Sequence, residues 1–318
     1  MLERLVARYG YTLARESERI PRGASEPFAT AEYDVLPRGR FDFVRRDYYS
    51  PIPDLEALPA DIFTRRSDLG GVALDATAGI ELIEQRLAPH VAELDVPPED
   101  PGEPGVFFLR NTGFESVDAE LLYAMVRARR PRRVVELGSG YTTLLIGQAV
   151  RRNHAEGIET SHVAYDPFPR PHVLGEAVSG ASSLQPVGAT DVPLEVFDSL
   201  GPGDILFVDT THTVKLGSDV NFIVLDVLPR LKPGVAVHFH DVFLPFEYPR
   251  QWFEQMQFYW AEQYLLQAFL AFNTAFSILI PAGAVARELP ERLGRVIPSF
   301  APGVSPGSLW IERNDRGA

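Results

Sequence analysis

Arg133-Val134-Val135-Glu136-Leu137-Gly138-Ser139-Gly140-Tyr141-Thr142-Thr143-Leu144-Leu145 reads as a buried strand, a glycine turn with an acidic residue at its entry, and the start of a helix. Gly138 and Gly140 let the backbone approach a ligand without a Cβ in the way. Thr142 or Thr143 can cap the helix, whose first amides and dipole then face the pocket. The segment has neither the third glycine of G-x-G-x-x-G nor the Gly-Lys-Ser/Thr of a P-loop, and a carboxylate at the strand end opposes a pyrophosphate. A nucleotide-sized ligand that also carries positive charge suits Glu136 better.

Downstream, Ser161-His162-Val163-Ala164-Tyr165-Asp166 is a second short strand ending in an acid, 30 residues after Glu136. At the tip of a second parallel strand a carboxylate can accept from both hydroxyls of a ribose, although Asp166-Pro167 also reads simply as a turn. Ser183–Val187 is a weak third strand, followed by Thr190-Asp191. Asp204-Ile205-Leu206-Phe207-Val208-Asp209 is a continuous apolar run between acids, the pattern of a strand buried on both faces. The spacing of Val220, Ile223, Val224, Val227, Leu228 and Leu231 predicts a helix over 216–231, stopped by Lys232-Pro233-Gly234. Val235-Ala236-Val237-His238-Phe239-His240-Asp241 is a fifth strand. Strands and helices alternating in this way make βαβ units and a parallel sheet, with ligands at the carboxyl ends of the strands.

Asp209 and Asp241 therefore end two strands expected to be neighbours, with His212 and His240 close by. Converging carboxylates repel unless something positive lies between them. A divalent cation on Asp209, His240 and Asp241 would resolve the conflict, and oxygen donors alone would suit Mg²⁺. His238 and His240 are two apart in a strand and share a face. His238 reads as a hydrogen-bonded core histidine, whereas His240 and His212 are placed to act as a general base, His240 being the preferred one.

The E-x-G-x-G turn with its following acid resembles the first motif of class I S-adenosylmethionine-dependent methyltransferases. That resemblance implies a Rossmann-like seven-stranded α/β sheet whose last strand is antiparallel. It also implies S-adenosylmethionine as cofactor, with contacts from Glu136, Gly138, Ser139, Gly140, Asp166, Asp191 and Asp209. Asp204–Asp241 is similar to the group that includes macrocin O-methyltransferase and cephalosporin-hydroxylase-like proteins, in which Mg²⁺ is bound by an Asp after the fourth strand and a Glu-Asp pair after the fifth. This chain has His240 where those relatives carry Glu, and Thr210-Thr211-His212 where an Asp-His pair is common. An imidazole donor shifts preference toward Zn²⁺, Fe²⁺ or Mn²⁺, or toward no metal. The loop Asp209–Asn221 and the segment His238–Pro249 also resemble a bacterial small-molecule methyltransferase group with D-x-x-H-x-x-K-x-G-S-D-V-N and H-F-H-D-x-F-x-P-F-E-Y-P signatures. The implied reaction is methyl transfer to a small-molecule acceptor, most plausibly at a hydroxyl oxygen, with His240, Asp241 and His212 positioning and deprotonating it. Two alternatives stand beside it: a His/Asp metal-dependent oxygenase or hydrolase, and a non-catalytic protein that retains the fold.

At 318 residues the chain exceeds one such domain. The surplus is placed in an N-terminal helical and irregular extension, residues 1–104, for substrate capping or dimerisation, with the cofactor-binding domain over 105–318. Within the extension, 47–54 is proline-broken and extended, 76–94 helical, and 96–104 a linker rich in Pro, Glu and Asp. Tyr48 and Tyr49 could line an acceptor pocket, but read first as ordinary packing. After the fifth strand an aromatic stretch, 243–252, borders the acceptor side, followed by a helix over 260–270 and strands over 275–280 and 307–312.

A net charge of −13 opposes a nucleic-acid partner. Arg127, Arg129, Arg130, Arg132 and Arg133 do cluster, but before the first strand, and read as a solvated helix end. Lys215 could touch an anionic acceptor or be solvated. No apolar run reaches the length of a membrane span, and Met1-Leu2-Glu3-Arg4 opens no signal peptide. The absence of cysteine excludes disulfides and thiolate catalysis. The expectation is a cytoplasmic enzyme, with a homo-oligomer left open.

Overall fold

The computed structural model describes residues 11–13, 43–45, 48–170, 182–301 and 303–315. The reading of residues 1–4, and of residue 47 in the segment 47–54, lies outside them. By proximity the chain forms two units, Met1–Arg65 with Glu247–Trp260, and Arg66–Phe246 with Ala261–Ala318. In the first, strands Tyr11–Leu13 and Phe43–Arg45 pair antiparallel. The rings of Trp252, Phe258 and Trp260 pack together there, Phe258 and Trp260 stacked at 4.7 Å. Tyr48 and Tyr49, read as packed, are instead 94% and 88% exposed, meeting edge to face. No helix among the described residues is long and apolar enough to cross a membrane.

The second unit carries the sheet. Its strands are β1 (Arg133–Leu137), β2 (Ser161–Tyr165), β3 (Ser182–Gln185), β4 (Ile205–Val208), β5 (Ala236–Phe239), β6 (Phe276–Pro281) and β7 (Leu309–Arg313). They lie in the order 3-2-1-4-5-7-6. β1 to β5 are parallel and β7 is antiparallel to both neighbours. This is the seven-stranded arrangement expected, with the last strand reversed.

Apolar residues coat both faces, so the strands read as continuous apolar runs. Val134, Ile205, Phe207, Ala236 and Trp310 pack on one side against α1 (Ala76–Leu82), α2 (Asp118–Arg129) and α3 (Tyr141–Ala155). Val135, Leu137, Leu206, Val208, Val237, Phe239 and Ile311 pack on the other, against the helical stretch from residue 219 to 230 and α4 (Glu262–Leu270). Helix α1 lies against β6, and residues 66–104 belong to the sheet unit.

The two long periodic segments are helical, but each contains a widened turn. Ile83–Leu87 and Ile223–Val227 are π-helical, with the N–H of Ala88 donating to Ile83 O and that of Leu228 to Ile223 O. A proline, Pro89 or Pro229, follows each. A proline ring clashes with the carbonyl four residues back and brings no N–H, so a wider turn just before it relieves the conflict.

The arginine cluster is the solvated end expected only in part: Arg130, Arg132 and Arg133 are exposed, but Arg127 and Arg129 are drawn into ion pairs. Arg127 is 1% exposed, and its guanidinium donates to Glu93, Glu156 and Asn153. Its planar fork satisfies three acceptors that connect α2, α3 and the chain before them. Arg129 reaches Gly234 O and Glu312 at the far side of the sheet. Arg127→Ala should lower unfolding free energy in urea by about 3 kcal/mol, the low end for breaking a buried ion pair because Glu93 and Glu156 stay partly exposed. A loss below about 1 kcal/mol would show the fork to be a surface ion pair in effect.

Candidate active site

The parallel ladders run one residue beyond the strands and set their tips in a row. Gly138 N–H donates to Tyr165 O at 2.9 Å, Asp209 N–H to Leu137 O at 2.9 Å, His240 N–H to Val208 O at 3.0 Å and Asp166 N–H to Gln185 O at 3.1 Å. Gly138 has φ +96°, and a Cβ there would lie 2.0 Å from the Asp209 carbonyl oxygen. Only glycine admits that approach.

Glu136 is fully buried; Oε1 accepts from Thr142 and Thr143 hydroxyls at 2.5 and 3.1 Å, while Oε2 lies 2.8 Å from His162 Nε2. His162 Nδ1 in turn meets Ser182 Oγ at 3.1 Å. The carboxylate ties β1 to β2 and to the first turn of α3. Thr143 caps that turn by accepting from Gly140 N–H at 3.0 Å. Ser139 Oγ donates to Asp166 Oδ2 at 2.6 Å, and Phe168 N–H donates to Asp166 Oδ1 at 2.7 Å. The glycine turn and the acid of the second strand are therefore joined into one rim. Asp191 ends the short 3₁₀ turn Ala189–Asp191 beyond β3 and is exposed.

At the tips of β4 and β5 the structure brings together Asp209, His212, His240 and Asp241. His212 Nε2 is 3.2 Å from Asp209 Oδ1 and 3.7 Å from Asp241 Oδ2. His240 Nδ1 is 3.6 Å from Asp209 Oδ1 and 3.5 Å from Asp241 Oδ2, and this buried nitrogen has no hydrogen-bond partner. Asp209, His240 and Asp241 each offer one donor atom, all within 4.8 Å of one another. His212 and Asp241 have φ of +55° and +57°, a region that strains a non-glycine residue by about 1–3 kcal/mol. Two such residues side by side at strand tips mark a site whose geometry is imposed by its surroundings.

The electrostatics follow from charge packed under little water. Burial opposes ionisation of Asp209, but His240 and His212 outweigh it and hold the carboxyl well below the usual range. Burial pushes Asp241 up to about 6 against the pull of the same two histidines. His240 is raised to about 9, because Asp241, Asp209 and Asp118 outweigh its burial. His212 is raised well above the ordinary value, its burial outweighed by Asp209, Glu262 and Asp241. His238 behaves differently: burial pushes it well down, its ring stacks on Phe207 at 4.3 Å, and Nε2 meets Ser308 Oγ at 2.8 Å. It is a neutral histidine of the core.

Two acids escaped the sequence reading. Asp118, the first residue of α2, accepts from the N–H groups of Gly307 and Ser308 at 2.9 and 3.1 Å and lies 3.8 Å from His240 Nε2. Glu262 Oε2 lies 2.8 Å from His212 Nδ1. Glu262 falls on one stripe with Leu266 and Leu270, all three buried. A charged residue on an apolar stripe is the signal that could have found it. Lys215 is exposed on the loop that follows.

A family model described as a methyltransferase domain matches residues 135–242, the stretch that contains the glycine turn, Asp166, Asp209, His212, His240 and Asp241. An uncharacterized protein of Archaeoglobus fulgidus is 26% identical over 172 residues, which is 52% of this chain and 74% of that one. Among solved structures, one described as cmcI-D160 with Mg and SAM is 16% identical, covers 71% of this chain and 84% of its own, and superposes with a TM-score of 0.40. The plantazolicin methyltransferase BamL, in complex with a desmethyl plantazolicin analogue and SAH, is 15% identical, covers 61% and 81%, and gives 0.32.

Proposed function

We propose that the chain, whose residues 135–242 match a methyltransferase domain, is a class I S-adenosylmethionine-dependent methyltransferase and that it methylates a hydroxyl oxygen of a small molecule held beside a divalent cation on Asp209, His240 and Asp241. The observation that carries this reading is the cluster itself. Three donor atoms converge within 4.8 Å, one of them a buried imidazole nitrogen with no hydrogen-bond partner. An orphaned nitrogen aimed between two carboxylates fits a ligand better than a base, so the roles divide. His240 joins Asp209 and Asp241 in holding the cation, and His212, whose Nε2 proton the nearby cation's charge would drive off as Asp209 and Asp241 turn to the metal, receives the acceptor's proton. One imidazole and two carboxylates suit Mn²⁺, Fe²⁺ or Zn²⁺ more than Mg²⁺.

When bound, the cation would lower the pKa of an acceptor hydroxyl and fix its position, and S-adenosylmethionine would supply the methyl group. The protein's own contribution is alignment. Gly138 and Gly140 open the turn for the cofactor, and Ser139 and Asp166 form the rim where ribose hydroxyls would lie. Asp191 stands beyond β3 for the adenine. Glu136, through Thr142, Thr143 and His162, keeps the turn in shape. Asp209 lies between the two halves of the site, tied by its N–H to β1 and by its carboxylate to His212.

The test is calorimetric titration of metal-stripped protein with S-adenosylmethionine and S-adenosylhomocysteine, repeated with Mg²⁺ and with Mn²⁺. Micromolar binding of both is expected, together with tighter binding of Mn²⁺ than of Mg²⁺. Metal binding without cofactor heat under any condition would overturn the methyltransferase reading in favour of a metal-dependent hydrolase or oxygenase.

A further inference from the structure

His212 is gripped from behind at three points, all supplied by the first turn of α4. Its backbone carbonyl accepts from the N–H groups of Ala261 and Glu262, at 3.0 and 3.2 Å. Its ring Nδ1 faces Glu262 Oε2 at 2.8 Å, with the two side chains 5% and 1% exposed. The next residue reaches the neighbouring loop: Gln263 Oε1 accepts from Phe243 N–H at 3.2 Å, two residues past Asp241. One helical turn thus holds both loops that carry the cluster. It does so at a backbone, φ +55° at His212, that a non-glycine residue does not choose unaided.

We infer that Glu262 is a positioning residue for the reaction: it accepts a hydrogen bond from His212 Nδ1–H and so turns Nε2 toward Asp209 and Asp241. A histidine that donates from Nδ1 to a buried acceptor has a fixed ring orientation, which here points Nε2 at Asp209 Oδ1, 3.2 Å away. Glu262 reaches His212 and not the ligand side. Its other oxygen, Oε1, is buried without a hydrogen-bond partner, so the whole strength of the carboxylate as an acceptor is spent on one ring N–H. What the presented nitrogen does rests on the proton-accepting role proposed above; the hydrogen bond does not.

The bond can be read without an acceptor molecule. In protein labelled with ¹⁵N at its seven histidines, a ring N–H held by a buried carboxylate gives a discrete downfield proton resonance correlated to Nδ1 and protected from water. His212→Asn assigns it. The resonance should be present in the wild-type protein, move upfield but survive in Glu262→Gln, whose amide oxygen still accepts, and vanish in Glu262→Leu. Its absence from the wild type, or its persistence in Glu262→Leu, overturns the inference. Should the leucine variant fail to fold, the wild-type spectrum and the glutamine shift decide alone, an unshifted resonance in Glu262→Gln counting against it. Failure of the methyltransferase reading looks different, with the resonance in place and no heat on titration with S-adenosylhomocysteine. With an acceptor in hand, Glu262→Leu should lower kcat about 10–100-fold and leave KM for S-adenosylmethionine unchanged, and Glu262→Gln should recover most of the loss. Equal losses in both variants would reduce Glu262 to a structural role.

Discussion

Gly138→Ala is expected to destabilise the protein by about 4 kcal/mol or more and to abolish binding of S-adenosylhomocysteine. A methyl group at this position would sit 2.0 Å from the Asp209 carbonyl oxygen and 3.1 Å from its carbon. Neither atom is the movable end of a side chain. The Asp209 N–H is committed to Leu137 O at 2.9 Å, so the carbonyl cannot retreat without breaking the ladder between β1 and β4. Any retreat would also carry the Asp209 carboxylate away from His212 and His240. Gly157 supplies the control, because its φ is +79° and nothing lies within 4 Å of the position a Cβ would take. Gly157→Ala should therefore cost only the backbone strain, about 1–2 kcal/mol. Urea denaturation of the two variants separates clash from strain, and a Gly138→Ala loss no greater than that of Gly157→Ala would show that the close approach at the strand tip is dispensable.

The same contact marks how far the sequence could be read. Val134-Val135, Ile205–Val208 and Val235–Phe239 were legible as strands because a sheet covered on both faces leaves no polar alternation to confuse the pattern. The acids at their ends were legible as a cluster because parallel strands place their carboxyl ends on one edge. The reversed last strand came from resemblance alone; nothing in Leu309–Arg313 signals direction. Glu136 shows where the reading ran out. Its placement at a strand end suggested a ligand contact, but parallel register sets Val134 beside His162 and Glu136 beside Ala164. The carboxylate therefore has a histidine within reach on the neighbouring strand, and no local pattern discloses register between segments 26 residues apart. Arg127 failed for a similar reason, since a run of arginines before a strand reads as solvated until the carboxylates of Glu93 and Glu156 arrive from other elements. The widened turns before Pro89 and Pro229, in contrast, needed only attention to the prolines.

The division of labour proposed for the two histidines was also beyond the sequence. Both lie near strand tips, and His240 had the better claim as a base by position. What separates them is what stands behind each ring. His212 has Glu262 at hydrogen-bonding distance behind Nδ1, which sets Nε2 toward Asp209 at 3.2 Å. His240 has Asp118 behind Nε2 at 3.8 Å, beyond a direct hydrogen bond, and an unpartnered Nδ1 in front. That nitrogen, 3.5 and 3.6 Å from two carboxylates without a hydrogen bond to either, is the feature on which the proposed cation site rests.

Asp241→Asn tests that arrangement, and the expected result is loss of Mn²⁺ binding with S-adenosylhomocysteine binding retained. Asparagine is the informative replacement because it matches the shape of Asp241 and tolerates the left-handed backbone at φ +57° better than other residues. It removes the charge and little else. Gly307 packs against this residue, its missing Cβ lying where it would be 3.0 Å from the Asp241 Cα, so a substitution that altered backbone or bulk would confound the reading. Loss of a group beside a metal ligand commonly lowers affinity 10–100-fold, and loss of one carboxylate of the proposed set should exceed that, to about 100-fold or more. Once an acceptor is identified, turnover should fall by about 10²–10⁴, the contribution of a positioned proton transfer, because without the cation the acceptor oxygen is neither fixed nor acidified before His212. Cofactor affinity should not follow, since the turn at Gly138–Gly140 and the Ser139–Asp166 rim belong to β1 and β2. Undiminished Mn²⁺ affinity in Asp241→Asn would remove the cation from the site and leave the two histidines to balance Asp209 and Asp241. A joint loss of metal and cofactor binding would instead mean that the tips of β4 and β5 support the cofactor directly, through Asp209, and that the two halves of the site are one.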